Sequence, residues 1–107
     1  MGTEKPQFLY YFTPGPRPEL AAQPEAWTEA DNAVAQAHYD RLKQAAEDGI
    51  LILAGRSQDG IGPAIVIIEV ESEKVALKFM ENDPFIREGL FGASLHPFRA
   101  ALMRKQP

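Results

Sequence analysis

The sequence predicts an α+β fold with elements in the order β-α-β-β-α-β, and three observations carry that expectation. The runs "QFLYYF" at 7–12, "ILILA" at 50–54 and "AIVIIEV" at 64–70 are aromatic or β-branched and of strand length. Between 28 and 49 the apolar residues recur at helical spacing instead, and a second helical pattern follows at 72–83. The stretch from Leu90 to Met103 is weaker but strand-like, with Gly92 and Pro97 inside it.

The first strand, Gln7 to Phe12, is too short for a helix between its flanking prolines. The segment "TPGPRPELAAQPEAW" that follows holds four prolines and a glycine, which predicts a loop over 13–27 without regular structure. A loop of that length is either a cover for a pocket or a surface excursion with no task. The first helix starts at Thr28, whose hydroxyl can cap free N–H groups, with Glu29 and Asp31 at the positive end of the helix dipole. It ends at Gly49, a natural residue after a helix C-terminus. Val34, His38, Leu42 and Ala45 form one stripe on it, which packs on the sheet. "ILILA" and "AIVIIEV" are strands joined through the break "GRSQDGIGP". Ser72 caps a second helix carrying Val75, Ala76, Leu77, Phe79 and Met80, which Asp83-Pro84 stops. "DPFIREG" reads as a turn or a single helical turn, and the last strand as bulged or at an edge. The order is the split βαβ, or ferredoxin-like, arrangement: a four-stranded antiparallel sheet with both helices on one face.

The totals fit a single domain over residues 1–107, since 107 residues with 45% apolar content do not supply two cores. A net charge of -4 offers no basic patch for phosphates or anionic membranes, so neither nucleic acid nor a membrane is an expected partner. Without cysteine there is no disulfide, thiolate metal site or cysteine nucleophile. The N-terminus lacks a signal-peptide pattern, and Gly2 is followed by Pro6 where a myristoylation signal wants Ser or Thr. No apolar run approaches the roughly 20 residues of a membrane span, so the expected location is cytoplasmic. The continuous run "AIVII" supplies apolar residues to both sheet faces, and the uncovered face is expected to be buried in a homodimer.

His38 is the first residue to weigh chemically, because it lies on the stripe that faces the sheet and a buried ring nitrogen needs a partner. A backbone carbonyl would make it a core histidine. Asp59, in the polar break after the second strand, would instead fix its tautomer and raise the basicity of the other nitrogen, as a general base requires. Asp59-Gly60 is also an ordinary turn pair. Arg56 could clamp an anionic substrate with its planar fork, or be a solvated strand end. Ser57 could hydrogen-bond a substrate or cap the turn, and no Gly-x-Ser-x-Gly pattern surrounds it. Asp83 reads as a cap before Pro84, and Trp27, Tyr10 and Tyr11 as core or cleft lining. A metal triad of His38, Asp59 and His96 has no supporting spacing, so no metal site and no cofactor are expected. "GIGPA" is not a dinucleotide fingerprint, and "RSQDGIG" is not a P-loop.

The set "AHYDRLKQAAEDGILILAG", Asp59-Gly60, "NDPFIREGLF" and "SLHPFR" resembles the YciI-like, or YCII-related, proteins. The shared features are a histidine on the first helix, a Gly-x-Leu-x-x-Ala-Gly segment, a distal Asp-Pro-aromatic turn and a final Pro-aromatic-basic strand. The match spans Ala37 to Arg99, with Gln7 to Phe12 as opening strand. What the resemblance implies is a dimeric α+β barrel of ferredoxin-like protomers with a His–Asp pair in a cleft, an assignment carried onto His38 and Asp59. The chain departs from the pattern at Arg56, where a proline is common, in its longer proline-rich insertion, and at His96, where a lysine or arginine is common.

Two functional readings follow. In one, the protein is a small cofactor-independent enzyme in which His38, oriented by Asp59, moves a proton on a small, anionic or aromatic metabolite in a lyase, dehalogenase-like or isomerase step, with Arg56 and Ser57 binding substrate. In the other, it is a non-catalytic dimer that binds a small molecule or serves as an accessory protein, and the two residues only hold the helix to the sheet.

Overall fold

Alternation along the central strand sets the architecture. In the computed structural model, which describes residues 5–105, β1 (Gln7–Pro14) lies between β3 (Ala64–Glu69) and β4 (Phe91–Phe98), and β2 (Leu51–Arg56) closes the far side of β3. The order β2-β3-β1-β4 with antiparallel pairing throughout is that of the ferredoxin-like sheet. Gly2, weighed above for lipidation, lies outside the described residues.

Pairing places Tyr10 opposite Val66 and Leu95, and Phe8 opposite Ile68. With a side-chain period of two, these residues share one face with Phe12 and Ala93. On that face they pack with Leu42 of α1 (Glu29–Glu47) and with Ala76 and Met80 of α2 (Glu73–Glu81), which forms the buried core. The alternate residues Leu9, Tyr11, Ile65, Ile67, Ser94 and His96 point to the other face, which carries no helix. Beyond β4 the chain leaves the sheet at Arg99, sooner than the expected Met103, and residues Arg99–Arg104 border a groove on this face with Leu53, Ile67 and Phe98.

The helix ends follow from their capping groups. Thr28 accepts from Asp31 N–H while the Asp31 carboxylate accepts from Thr28 N–H, a reciprocal box that fixes the start of α1. Gly49 takes the positive φ of 81° that turns the chain out of α1 into β2. Ser72 caps α2 through Val75 N–H. The "DPFIREG" segment is a single helical turn, α3 (Pro84–Arg87), with Asp83 as its cap and Pro84 in the first position.

The proline-rich segment has more structure than expected. Prolines at 18 and 24 fix φ at the starts of two short 3-10 turns, Pro18–Ala21 and Pro24–Ala26. Gly15 leaves β1 where a Cβ would collide with the Leu90 carbonyl, so only glycine fits that crossing.

Candidate functional site

Asp83 is the centre of the polar chemistry on the helix-covered face. Its side chain is fully buried, and three donors converge on its two oxygens. Oδ1 accepts from Phe85 N–H at 3.0 Å and lies 2.9 Å from His38 Nδ1, while Oδ2 accepts from the Tyr10 hydroxyl at 2.8 Å. An ionised carboxylate only accepts, so beside one the Nδ1 nitrogen is the donor and the other ring nitrogen, Nε2, is left for a ligand. The His38 side chain is 17% exposed against 0% for Asp83, so the ring reaches the surface while its partner does not.

The elements that deliver these groups are local consequences of sequence. His38 follows Val34 and precedes Leu42 on the inward stripe of α1, and α1 packs beside α3. The break between α2 and α3 is enforced by Pro84, and the cap role orients Asp83 inward. Tyr10 comes from the middle of the central strand and is completely buried. Burial, followed by the Asp83 charge, pushes the Tyr10 hydroxyl far above its usual ionisation range, while Arg41 acts weakly the other way. Arg41 stacks its guanidinium 4.0 Å over the Phe79 ring and donates from Nη2 to the Phe79 carbonyl.

The wall around the imidazole is aromatic. Phe85 lies 4.3 Å from the His38 ring centre and Phe12 meets it edge-on at 5.6 Å. Phe91 packs on Phe12 and Phe85, and Trp27 packs on Phe85 and Phe91 from the end of the proline-rich segment. Trp27 Nε1 donates to the Leu20 carbonyl, which ties that segment to itself. Arg17 then ties it to α1 through Asp31, with a 3.0 Å bond from Nη1 to Oδ2 and an ion pair from Nη2 to Oδ1 at 2.6 Å. These guanidinium bonds, followed by the Thr28 N–H, hold the Asp31 carboxyl well below the usual carboxylate range.

The partner expected for His38 is not the one it has. Asp59 is exposed, and its Oδ1 accepts from Ile61 N–H at 2.8 Å and Gly62 N–H at 3.0 Å. Those backbone bonds lower its ionisation range and close the turn between β2 and β3. The physical reason is position: β2 is an edge strand, and the turn after it lies against Ala21 and Ala22 of the proline-rich segment. Ser57 belongs to the same turn, with Oγ donating to the Pro63 carbonyl at 3.1 Å. Arg56 and Ser57 line a shallow concavity of about 260 Å³ with Leu53 and Ile65, residues of the face opposite His38. That concavity does not include His38, although the register sets Arg56 opposite Ala64, on the side of Val66 and Ile68 that bears the helices. His96 stands on the open face, stacked on Tyr11 at 5.5 Å with its Nε2 2.8 Å from Ser94 Oγ.

Asp83 and Tyr10 are the groups that sequence reasoning assigned to a turn and to core or cleft lining. A signal for Asp83 was present: a cap engages only part of a carboxylate's acceptor capacity, and an Asp-Pro stop close to a helix bearing an inward histidine leaves the rest for other donors. Nothing comparable marked Tyr10, whose hydroxyl acquires its partner only through the tertiary fold.

Comparison with known proteins bears on this arrangement. No match was found among curated proteins. Among solved structures, the chain is similar to the 5-chloro-2-hydroxyhydroquinone dehydrochlorinase (TftG) of Burkholderia phenoliruptrix, described in complex with 2,5-dihydroxybenzoquinone. The two are 25% identical with a TM-score of 0.57, over 87% of this chain and 93% of that one. The model of the YCII-related domain matches residues 8–95, from the first strand through His38 and Asp83 to the last strand, and the chain belongs to the family of proteins built on that domain.

Proposed function

We propose that the protein is a cofactor-independent enzyme that moves a proton on a small, planar, hydroxylated aromatic molecule, with His38 as acid/base and Asp83 as the residue that orients it. The observation that carries this reading is the 2.9 Å contact between His38 Nδ1 and a buried Asp83 oxygen on a ring that still reaches the surface. A carboxylate bound at Nδ1 directs the lone pair of Nε2 outward and stabilises the imidazolium that forms when that atom takes a proton. The aromatic wall of Phe12, Phe85, Phe91 and Trp27 suits a flat ring, which packs against such side chains edge-on or offset. The dehydrochlorinase to which the chain is similar acts on a hydroxylated, chlorinated ring, and loss of a proton with chloride from such a ring needs a base and no external oxidant.

Homodimerisation belongs to the same proposal. Leu9, Tyr11, Leu53 and Ile65 give the helix-free face an apolar surface that a second copy would cover.

The test uses 5-chloro-2-hydroxyhydroquinone as probe, with chloride release and quinone absorbance as readouts. Turnover by the wild type, with loss of 100-fold or more in His38→Ala and Asp83→Asn on the order of general acid–base effects, supports the reading. Variants as active as the wild type overturn it.

A further inference from the structure

Asp83 spends both of its oxygens, and the donor on Oδ2 is a phenol from the middle of the sheet. We propose that Tyr10 is a positioning residue of the His38–Asp83 pair: its hydroxyl pins Oδ2 and draws on the carboxylate's charge, and so sets how strongly Oδ1 holds the imidazole Nδ1–H. The proposal deepens the reading of His38 and Asp83 as an acid/base pair and rests on it.

The geometry carries the argument. Donors to one carboxylate compete for a single negative charge, so a strong bond at one oxygen weakens those at the other. Tyr10 donates at 2.8 Å, as short as any bond Asp83 makes, inside a site with no solvent exposure at either residue. In such surroundings a hydrogen bond is worth more than in water. Tyr10 is on the strand paired on both sides, by β3 and β4, so its ring has no freedom to follow the carboxylate. Asp83 from the α2–α3 break and Arg41 from α1 are the charged groups that bear on its hydroxyl. Burial keeps that hydroxyl protonated, so it stays a donor across the range in which the enzyme would work. The ring itself is held separately, by Phe12 at 5.6 Å and Phe79 at 6.4 Å. Tyr10→Phe retains that packing and removes the donor alone.

The experiment is proton and nitrogen NMR of the full chain labelled at histidine, with the His38 Nδ1–H resonance assigned by its persistence in His96→Gln. In Tyr10→Phe the freed carboxylate grips Nδ1–H harder, and the resonance moves downfield by more than a linewidth. In wild-type protein made with 3-fluorotyrosine, whose phenol donates more strongly, it moves upfield. The two opposite signs distinguish tuning from space filling, and the fluorinated protein carries the test if Tyr10→Phe does not fold. A resonance that stays in place in the folded proteins, or moves in the reverse sense, overturns the role of Tyr10 and leaves the His38–Asp83 reading standing. A wild-type imidazole with its proton on Nε2 overturns both.

Discussion

His38 and Asp83, separated by 45 positions in the chain, meet at 2.9 Å through Nδ1 and Oδ1, and the carboxylate at that contact is also the cap of α3. One side chain thus fixes a helix start and an imidazole orientation at once. Removing it has two effects that different substitutions separate. Asp83→Ala leaves the Tyr10 hydroxyl, the Phe85 N–H and the His38 ring without their acceptor. With unsatisfied buried polar groups costing about 1–3 kcal/mol each, denaturant unfolding should show a loss of about 3 kcal/mol or more. Asp83→Asn keeps the shape and still accepts at one oxygen, so it should lose less stability while losing turnover.

His38→Ala should destabilise less, by about 1–2 kcal/mol, because Asp83 keeps two other donors and the ring is partly exposed. Turnover should vanish. Asp59→Ala is the contrast: the residue holds only its own turn, so turnover should remain at the wild-type level although the β2–β3 loop is loosened. Paired assays of the two variants check this directly.

Alkaline unfolding should report on Tyr10. Its folded-state ionisation lies far above the ordinary value of 10.0, because burial and Asp83 disfavour the phenolate. The unfolded chain therefore releases this proton first, and the stability the group contributes, present below 10.0, is lost as pH rises beyond it. Phenolate absorbance from Tyr10 should appear only with unfolding, and Tyr10→Phe should show a shallower decline of melting temperature at high pH.

Acid unfolding should report on the clasp between Arg17 and Asp31. The Asp31 carboxyl is held below its ordinary 3.8, first by Arg17 and then by Thr28. Its contribution is present above that value and fades as pH falls beneath it. The melting temperature of Asp31→Asn should thus lie below that of the wild type at neutral pH, and the two should converge in strong acid. Arg17→Ala should reproduce part of the neutral-pH difference, since the Thr28 bonds survive it.

The open sheet face predicts its own outcome. Leu53, 49% exposed on the edge strand, borders the groove that the C-terminal segment shares with Ile67. With the proposed homodimer, the wild type should sediment as a dimer at micromolar concentration and Leu53→Asp as a monomer, with an unaltered helical circular dichroism signal.

Much of this architecture was legible in the amino-acid order because it rests on local rules. The capping box of Thr28 and Asp31, the glycine after α1 and the Ser72 cap are each written within a few residues. The strands β1 and β3 were legible from their aromatic and β-branched runs, but both runs are apolar on either face, so the side that meets the helices was not. The partner of His38 was not legible from spacing, because Asp59 and Asp83 both precede residues that demand a turn, Gly60 and Pro84. Only the tertiary fold distinguishes them, since the sheet order puts the β2–β3 turn at an edge and helix packing puts α3 beside α1. The 3-10 turns of the proline-rich segment were missed for a related reason. Proline excludes long helices yet favours the first residue of a short one.

Trp27 is the sole tryptophan of the sequence, and it lies against Phe85 and Phe91, one side chain removed from the imidazole. The molecule therefore carries its own fluorophore beside the proposed site for a flat aromatic compound. Quinones quench indole emission, so titrating unlabelled protein with candidate compounds in a fluorimeter would rank their affinities independently of turnover.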